Sequence, residues 1–93
     1  MHESAFRQEV ALAVILLPTA LVMDVSGLGK ALMVLSVLLV LIVELVNSAI
    51  EAVTDRISLE THMLAKRAKD LGSAAVMVTL LALPAVWLLV LFE

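Results

Sequence analysis

Polar side chains recur on one side of an otherwise apolar segment in the middle of the chain. The row consists of Glu44, Asn47, Ser48, Glu51 and Asp55. At 3.6 residues per helical turn, these positions share one helical face about 100° wide. Carboxylates grouped in this way bind cations or accept protons, so the row predicts chemistry along the side of a helix.

The apolar surroundings decide between two interpretations of this row. An ionised residue at the centre of a bilayer costs about 2.5–3.5 kcal/mol on the insertion scale. Hydrogen bonding between helices of an oligomer explains Asn47 and Ser48 as well as chemistry does. It explains Glu44 and Glu51 less well, because two carboxylates on one face repel each other and need a cation, a proton or a basic partner. We therefore interpret the row as a functional site.

The composition indicates a membrane protein. The chain has 93 residues, of which 63% are hydrophobic and 16% charged, and its mean hydropathy is +1.16. Small domains bury the smallest fraction of their surface, so the excess apolar area must face lipid. The net charge of −3 gives no support for nucleic-acid binding, and the lack of cysteine excludes thiol chemistry. The sequence contains no G-x-x-x-x-G-K-S/T loop and no protein-kinase motif.

Three apolar runs, at residues 10–23, 31–53 and 74–92, set the expected architecture. A spanning helix needs about 20 residues, which the first run reaches only if residues 3–9 continue its helix into the interface. Three strands could not close a barrel in lipid. We predict an all-α membrane protein with one domain over residues 1–93. Its transmembrane helices are expected at about 3–23, 28–54 and 71–92, with a cytoplasmic loop or helix at about 55–70.

Basic residues predict the orientation. The first connection contains Lys30 alone, whereas the second carries Arg56, Lys66, Arg67 and Lys69. Short basic connections stay in the cytoplasm, so the N-terminus is predicted to be cytoplasmic and the C-terminus outside. Trp87 and Phe92 lie near the end of the last run, where an interfacial aromatic belt is expected.

A second polar face follows the second connection. If a helix resumes near His62, one face carries His62, Lys66, Lys69, Asp70 and Ser73. Lysine suits phosphate as a compact point charge. The alternative is a solvated basic helix that only orients the chain.

The N-terminal segment adds another acid on the same side of the membrane. Glu3 and Arg7 are one turn apart, which also fits a simple ion pair at the interface. Alternatively, Glu3 and Glu51, from different helices, could hold one divalent cation.

Three segments together resemble a known family. Residues 44–56, Glu-Leu-Val-Asn-Ser-Ala-Ile-Glu-Ala-Val-Thr-Asp-Arg, resemble the signature E-x-x-N-S/T-A-I-E-x-x-x-D of the prokaryotic diacylglycerol kinase family. Residues 67–75 are similar to its A-K-D-x-G-S/A-A-A motif, and residues 3–9 to the segment that opens its first membrane helix. Their order and spacing match over almost the whole chain.

The resemblance implies a homotrimeric membrane kinase that uses MgATP, with sites shared between subunits. It implies Glu44 as the general base, with Asn47 orienting nearby groups. Glu3 and Glu51 would hold Mg²⁺ and contact ATP. Further ATP contacts are implied for Glu60, Thr61, His62, Lys69 and Asp70. The lipid substrate site is implied to comprise Ala5, Phe6, Arg7, Gln8, Glu9, Glu44 and Ser73.

The implied reaction converts diacylglycerol to phosphatidic acid at the cytoplasmic face of a bacterial inner membrane. Small residues four apart, Ser48 with Ala52 and Ala68 with Gly72, favour close helix contacts in an oligomer. Two alternatives stay open, an undecaprenol kinase of the same family and a non-enzymatic membrane assembly subunit. Family members usually begin with an additional amphipathic surface helix that contributes contacts to nucleotide and lipid. We expect this chain to lack those contacts.

Overall fold

The computed structural model describes residues 2–56 and 62–93, with side chains at 6–56 and 63–93. It contains three helices: α1, His2–Val22; α2, Gly27–Thr54; and α3, His62–Leu91. No strand occurs in these described ranges. Two of the helices, α2 and α3 from Met63 onward, are long and apolar enough to cross a membrane. The predicted all-α membrane fold class is confirmed.

The third helix is longer than its apolar run. α3 continues without a break from His62 to Leu91, so residues 62–70 of the expected cytoplasmic segment form its first turns. Pro18 and Pro84 both lie inside helices. Membrane helices tolerate proline because neighbouring groups satisfy the freed carbonyl.

The short connection between α1 and α2 ends in an N-cap. Ser26 has an extended backbone, and its Oγ accepts a hydrogen bond of 2.9 Å from the Gly29 N–H. This bond satisfies one of the first N–H groups of α2, which have no partner within the helix. Ser26 Oγ also donates to Glu93 Oε2 at 3.2 Å, which joins the end of α3 to the start of α2.

The central helix is α2, which packs against both other helices. The molecule measures 54 × 22 × 15 Å, so the helices form a layer little more than one helix thick. Its core, near the connection between α1 and α2, contains Ala20, Met33 and Val90, with Trp87 packed against them. Many leucine, valine and isoleucine side chains stay exposed on the broad faces, as expected of a surface that contacts lipid or other subunits.

One buried face runs the whole length of α2. Its residues recur every three or four positions: Gly29, Met33, Ser36, Val37, Val40, Glu44, Asn47, Glu51 and Thr54. The half from Gly29 to Val40, which we call the outer half because it lies away from the polar residues, is mainly apolar. The half from Glu44 to Thr54, which we call the polar half, is polar. The change occurs within one continuous helix, so the same packing surface continues into the candidate site.

Candidate functional site

Three of the predicted polar residues are buried between the helices. Glu44, Asn47 and Glu51 are only 7%, 8% and 6% exposed. They are therefore as buried as the apolar core, because α2 turns this face toward its neighbours. The other two members of the row differ, since Ser48 is half-buried and Asp55 is exposed.

A carboxyl group from α1 meets Glu44 from the other side. The carboxyl groups of Glu9 and Glu44 lie within hydrogen-bonding reach of each other. A carboxylate can only accept, so a hydrogen bond between two carboxyls requires a proton on one of them. Glu9 Oε1 is buried and has no hydrogen-bond partner among the side chains that the structure describes. A proton shared by the pair would therefore leave this oxygen as an acceptor for a ligand.

The pairing of Glu9 with Glu44 was not predicted from the sequence. Glu9 was placed in the lipid site only through the family resemblance. The two residues are far apart in sequence and lie on different helices, so helical spacing gave no indication of contact. The only local signal was an acid immediately before the first apolar run.

The Asn47 amide is buried with its oxygen unsatisfied. Asn47 Oδ1 has no hydrogen-bond donor within the described part of the chain. An unmade hydrogen bond on a buried polar group costs about 1–3 kcal/mol, so such atoms are uncommon and often belong to sites. Its position one turn from Glu44 and from Glu51 makes Asn47 part of the same cluster.

Lys69 of α3 reaches the end of this cluster that contains Glu51. Its Nζ lies 2.7 Å from Asp55 Oδ1, and the two side chains are 40% and 59% exposed. The ammonium group is also within electrostatic reach of Glu51. Exposed ion pairs contribute only about 0.2–1 kcal/mol, so an incoming phosphate could displace Asp55 at little cost.

The polar residues that were predicted to share one face on the first turns of α3 point in two directions. Lys69 turns toward α2, whereas Lys66 and Asp70 line an open groove of about 380 Å³. The groove is completed by Met63, Leu64, Arg67 and Leu71. Lys69 and Asp70 therefore face different neighbours in this chain, and the nucleotide contacts predicted for both stay a prediction.

The remaining predicted residues are only partly described. Phe6 and Glu9 are half-buried, while Arg7, Gln8 and Ser73 are exposed. Glu3, Ala5 and His62 lie in helices, but their side chains are outside the described set. Glu60 and Thr61 lie outside the described residues altogether. The implied pairing of Glu3 with Glu51 therefore stays a prediction.

Metal binding by this cluster needs few protein ligands. Among the residues described, no group of three or more His, Cys, Asp or Glu side chains could hold a metal ion. Mg²⁺ in phosphoryl-transfer sites is bound by one or two carboxylates, with substrate phosphates and waters as the other ligands. Glu51 with one further carboxylate fits that requirement.

Comparison with known proteins assigns the family. The family model for prokaryotic diacylglycerol kinase matches residues 1–91. A diacylglycerol kinase of Pseudomonas aeruginosa is 55% identical over 96% of this chain and 72% of its own length. Diacylglycerol kinases of Escherichia coli and Haemophilus influenzae are 45% and 47% identical, covering 76% and 77% of their own lengths. The chain therefore belongs to the prokaryotic diacylglycerol kinase family.

Proposed function

We propose that this protein transfers the γ-phosphoryl group of ATP to the hydroxyl of diacylglycerol, forming phosphatidic acid and ADP. The observation that carries the proposal is the buried contact between Glu44 and Glu9, with the Asn47 amide one turn away. A buried carboxylate beside a proton-holding partner suits the deprotonation of an alcohol. The names of the relatives support diacylglycerol as that alcohol.

The depth of the cluster fits a lipid substrate. Glu44 lies ten residues before the end of α2 at Thr54, which is roughly 15 Å along the helix. The hydroxyl of a lipid within the leaflet can reach this depth, and ATP arrives from water. Lys69 and Asp55, at the end of the row, would meet the phosphates first. We place this end, with the N-terminus, at the cytoplasmic face, and the C-terminus outside.

In the proposed reaction, Glu44 accepts the hydroxyl proton as the lipid oxygen forms a bond to the γ-phosphorus. The bond from that phosphorus to the bridging oxygen of ADP breaks, and ADP leaves with the electron pair. Glu9 keeps its proton and donates it in a hydrogen bond to one Glu44 oxygen, which leaves the other oxygen for the substrate. A positioned base of this kind contributes about 10²–10⁴-fold to the rate.

Positioning and charge neutralisation supply the rest of the catalysis. Phosphoryl transfer requires alignment of the reacting oxygen and stabilisation of the phosphate charge more than covalent chemistry. Lys69 would exchange Asp55 for a phosphate oxygen. Glu51, with Glu3, would hold Mg²⁺, which when bound neutralises charge on the ATP phosphates. The ATP contacts of Glu60, Thr61, His62 and Asp70 are part of the same proposal.

The proposal includes a homotrimer with sites between subunits. A layer 15 Å thick is little more than one helix deep, so one chain cannot enclose both a nucleotide and a lipid headgroup. The exposed apolar side chains on those faces supply a surface for neighbouring subunits. The lipid-site residues Ala5 to Glu9 and Ser73 would then face α2 of this chain or of a neighbour.

The test is an assay of purified protein in bilayers with MgATP and diacylglycerol. We expect phosphatidic acid to form, and Glu44→Gln to lower turnover about 10²–10⁴-fold while oligomer size and helix content stay unchanged. Glu93→Gln is the matched control, because this carboxylate lies at the opposite end of the molecule. Full activity of a protein carrying both Glu44→Gln and Glu51→Gln would refute the proposal.

The same assay separates the alternatives. If the protein phosphorylates undecaprenol faster than diacylglycerol, it is an undecaprenol kinase of the same family. Loss of the oligomer in Glu44→Gln, without kinase activity in the unmodified protein, would instead indicate a membrane assembly subunit.

A further inference from the structure

Gly72 marks a close approach between α3 and the polar face of α2. A β-carbon added at Gly72 would overlap Asn47 Oδ1 and would lie 3.2 Å from Asn47 Cγ. It would also contact Ile50 Cδ1 at 3.7 Å. The Asn47 amide therefore occupies the space that a side chain at position 72 would fill.

The backbone gives no other reason for this glycine. No glycine among the described residues has a positive φ, and Gly72 lies well inside α3. Glycine within a helix lowers helix stability relative to alanine, so a glycine here needs a reason in packing. The other two glycines provide a comparison. Gly29 faces Val90 Cγ1, and Gly27 has no atom within 4 Å of an added β-carbon.

Contact with Gly72 also orients the amide. The Asn47 oxygen faces the Cα–H of Gly72, a weakly favourable contact at helix–helix interfaces. The reversed amide would place its N–H donors against that C–H group. With the oxygen toward α3, the amide nitrogen points away from α3, where it can donate to a neighbouring carboxylate or to a phosphate oxygen.

We infer that Gly72 is a positioning residue for phosphoryl transfer, because the absence of its side chain fixes the Asn47 amide in the site. This inference rests on the proposed kinase function. Asn47 Oδ1 accepts no hydrogen bond from a described residue, so the shape of the α2–α3 contact determines its orientation. A methyl group at position 72 would push the amide into the space between Glu44 and Glu51.

The test is a double-mutant cycle in the bilayer kinase assay. We expect Gly72→Ala to lower kcat about 10²-fold, comparable to the loss of one positioned donor, with little change in KM for lipid or MgATP. In an Asn47→Ala background, where no amide remains to be displaced, the same change should alter kcat less than about twofold. Equal effects in both backgrounds, or normal kcat in Gly72→Ala, would overturn the inference.

Two glycine controls separate this effect from general crowding. Gly29→Ala should lower the thermal midpoint without lowering kcat of the folded enzyme, because its added methyl group meets Val90 rather than the site. Gly27→Ala should change neither quantity. A loss of kcat in Gly29→Ala equal to that in Gly72→Ala would also contradict the inference.

A further variant covers the case in which Gly72→Ala does not fold. Asn47→Asp preserves shape and replaces the amide donors with an oxygen, so it should lose kcat while oligomer and helix content are kept. Normal turnover in Asn47→Asp would overturn the donor role. If the unmodified protein makes no phosphatidic acid, the proposed function fails. If the enzyme is active but the effects of Gly72→Ala and Asn47→Ala on kcat are additive, only this inference fails.

Discussion

The two halves of the buried face of α2 satisfy their polar groups differently. In the outer half, Ser36 Oγ donates to Met33 O at 2.7 Å and accepts from Trp87 Nε1 at 3.1 Å. Just before this half begins, the exposed N-cap Ser26 is also satisfied, because it accepts from Gly29 N–H and donates to Glu93. In the polar half, the buried Glu9 Oε1 has no hydrogen-bond partner among the described side chains, and the Asn47 oxygen faces only the Cα–H of Gly72, which leaves its amide nitrogen for a ligand.

This difference distinguishes structural polar groups from those available to a ligand. Both halves are buried in the same helix layer, so polarity or burial alone does not separate them. A buried polar atom with a partner stabilises the fold, whereas one without a partner costs stability that a substrate can restore. The outer half therefore holds the helices together, and the polar half is arranged for binding.

Among the variants that test this difference between the two halves, we expect those at Glu9 to change turnover most. Glu9→Leu removes the donor to Glu44, and we expect turnover to fall about 10²-fold in the bilayer assay. Glu9→Gln keeps an N–H donor of similar shape, so its loss should be smaller than tenfold. The measurement is kcat for both variants at saturating MgATP and lipid. Equal losses in the two variants would show that the donor to Glu44 is not what matters.

The sequence predicted the polar row better than it predicted the contacts of that row. Helical spacing identified Glu44, Asn47 and Glu51 correctly as one face, because periodicity reports which side of a helix a residue occupies. Periodicity does not report which neighbour fills that side, so the contacts of Glu9 with Glu44 and of Gly72 with Asn47 required the structure.

The aromatic residues show the same limit. Both Trp87 and Phe92 were predicted to lie in an interfacial belt, from their position at the end of the last apolar run. Phe92 is 82% exposed, whereas Trp87 is half-buried and donates its Nε1–H to Ser36 Oγ on the neighbouring helix. The belt itself stays a prediction, but the structure adds a packing role for Trp87 within the chain. The sequence could not show that acceptor, since it depends on the register between α2 and α3.

A smaller effect is expected at the exposed end of the polar half, where Lys69 meets Asp55. Lys69→Ala should raise KM for MgATP about tenfold, equivalent to 1.4 kcal/mol of binding free energy, with a smaller change in kcat. Asp55→Asn should change that KM less than about threefold, because this exposed ion pair is weak. Lys30→Ala, at the outer end, is the control. If Asp55→Asn raises KM as much as Lys69→Ala, the two residues bind nucleotide as a unit.

The smallest effect on activity is expected in the outer half. Trp87→Phe removes one hydrogen bond to Ser36 and keeps most of the packed ring, so stability should fall by about 1 kcal/mol. Turnover of the folded enzyme should stay within about twofold, because Ser36 and Trp87 already satisfy each other. Ser36→Ala should have a similar effect, and the two changes should not be additive, since they break one contact. Thermal midpoints and kcat in the same bilayers measure both quantities. A loss of turnover without a loss of stability would show that the outer half also serves catalysis, and the distinction between the halves would fail.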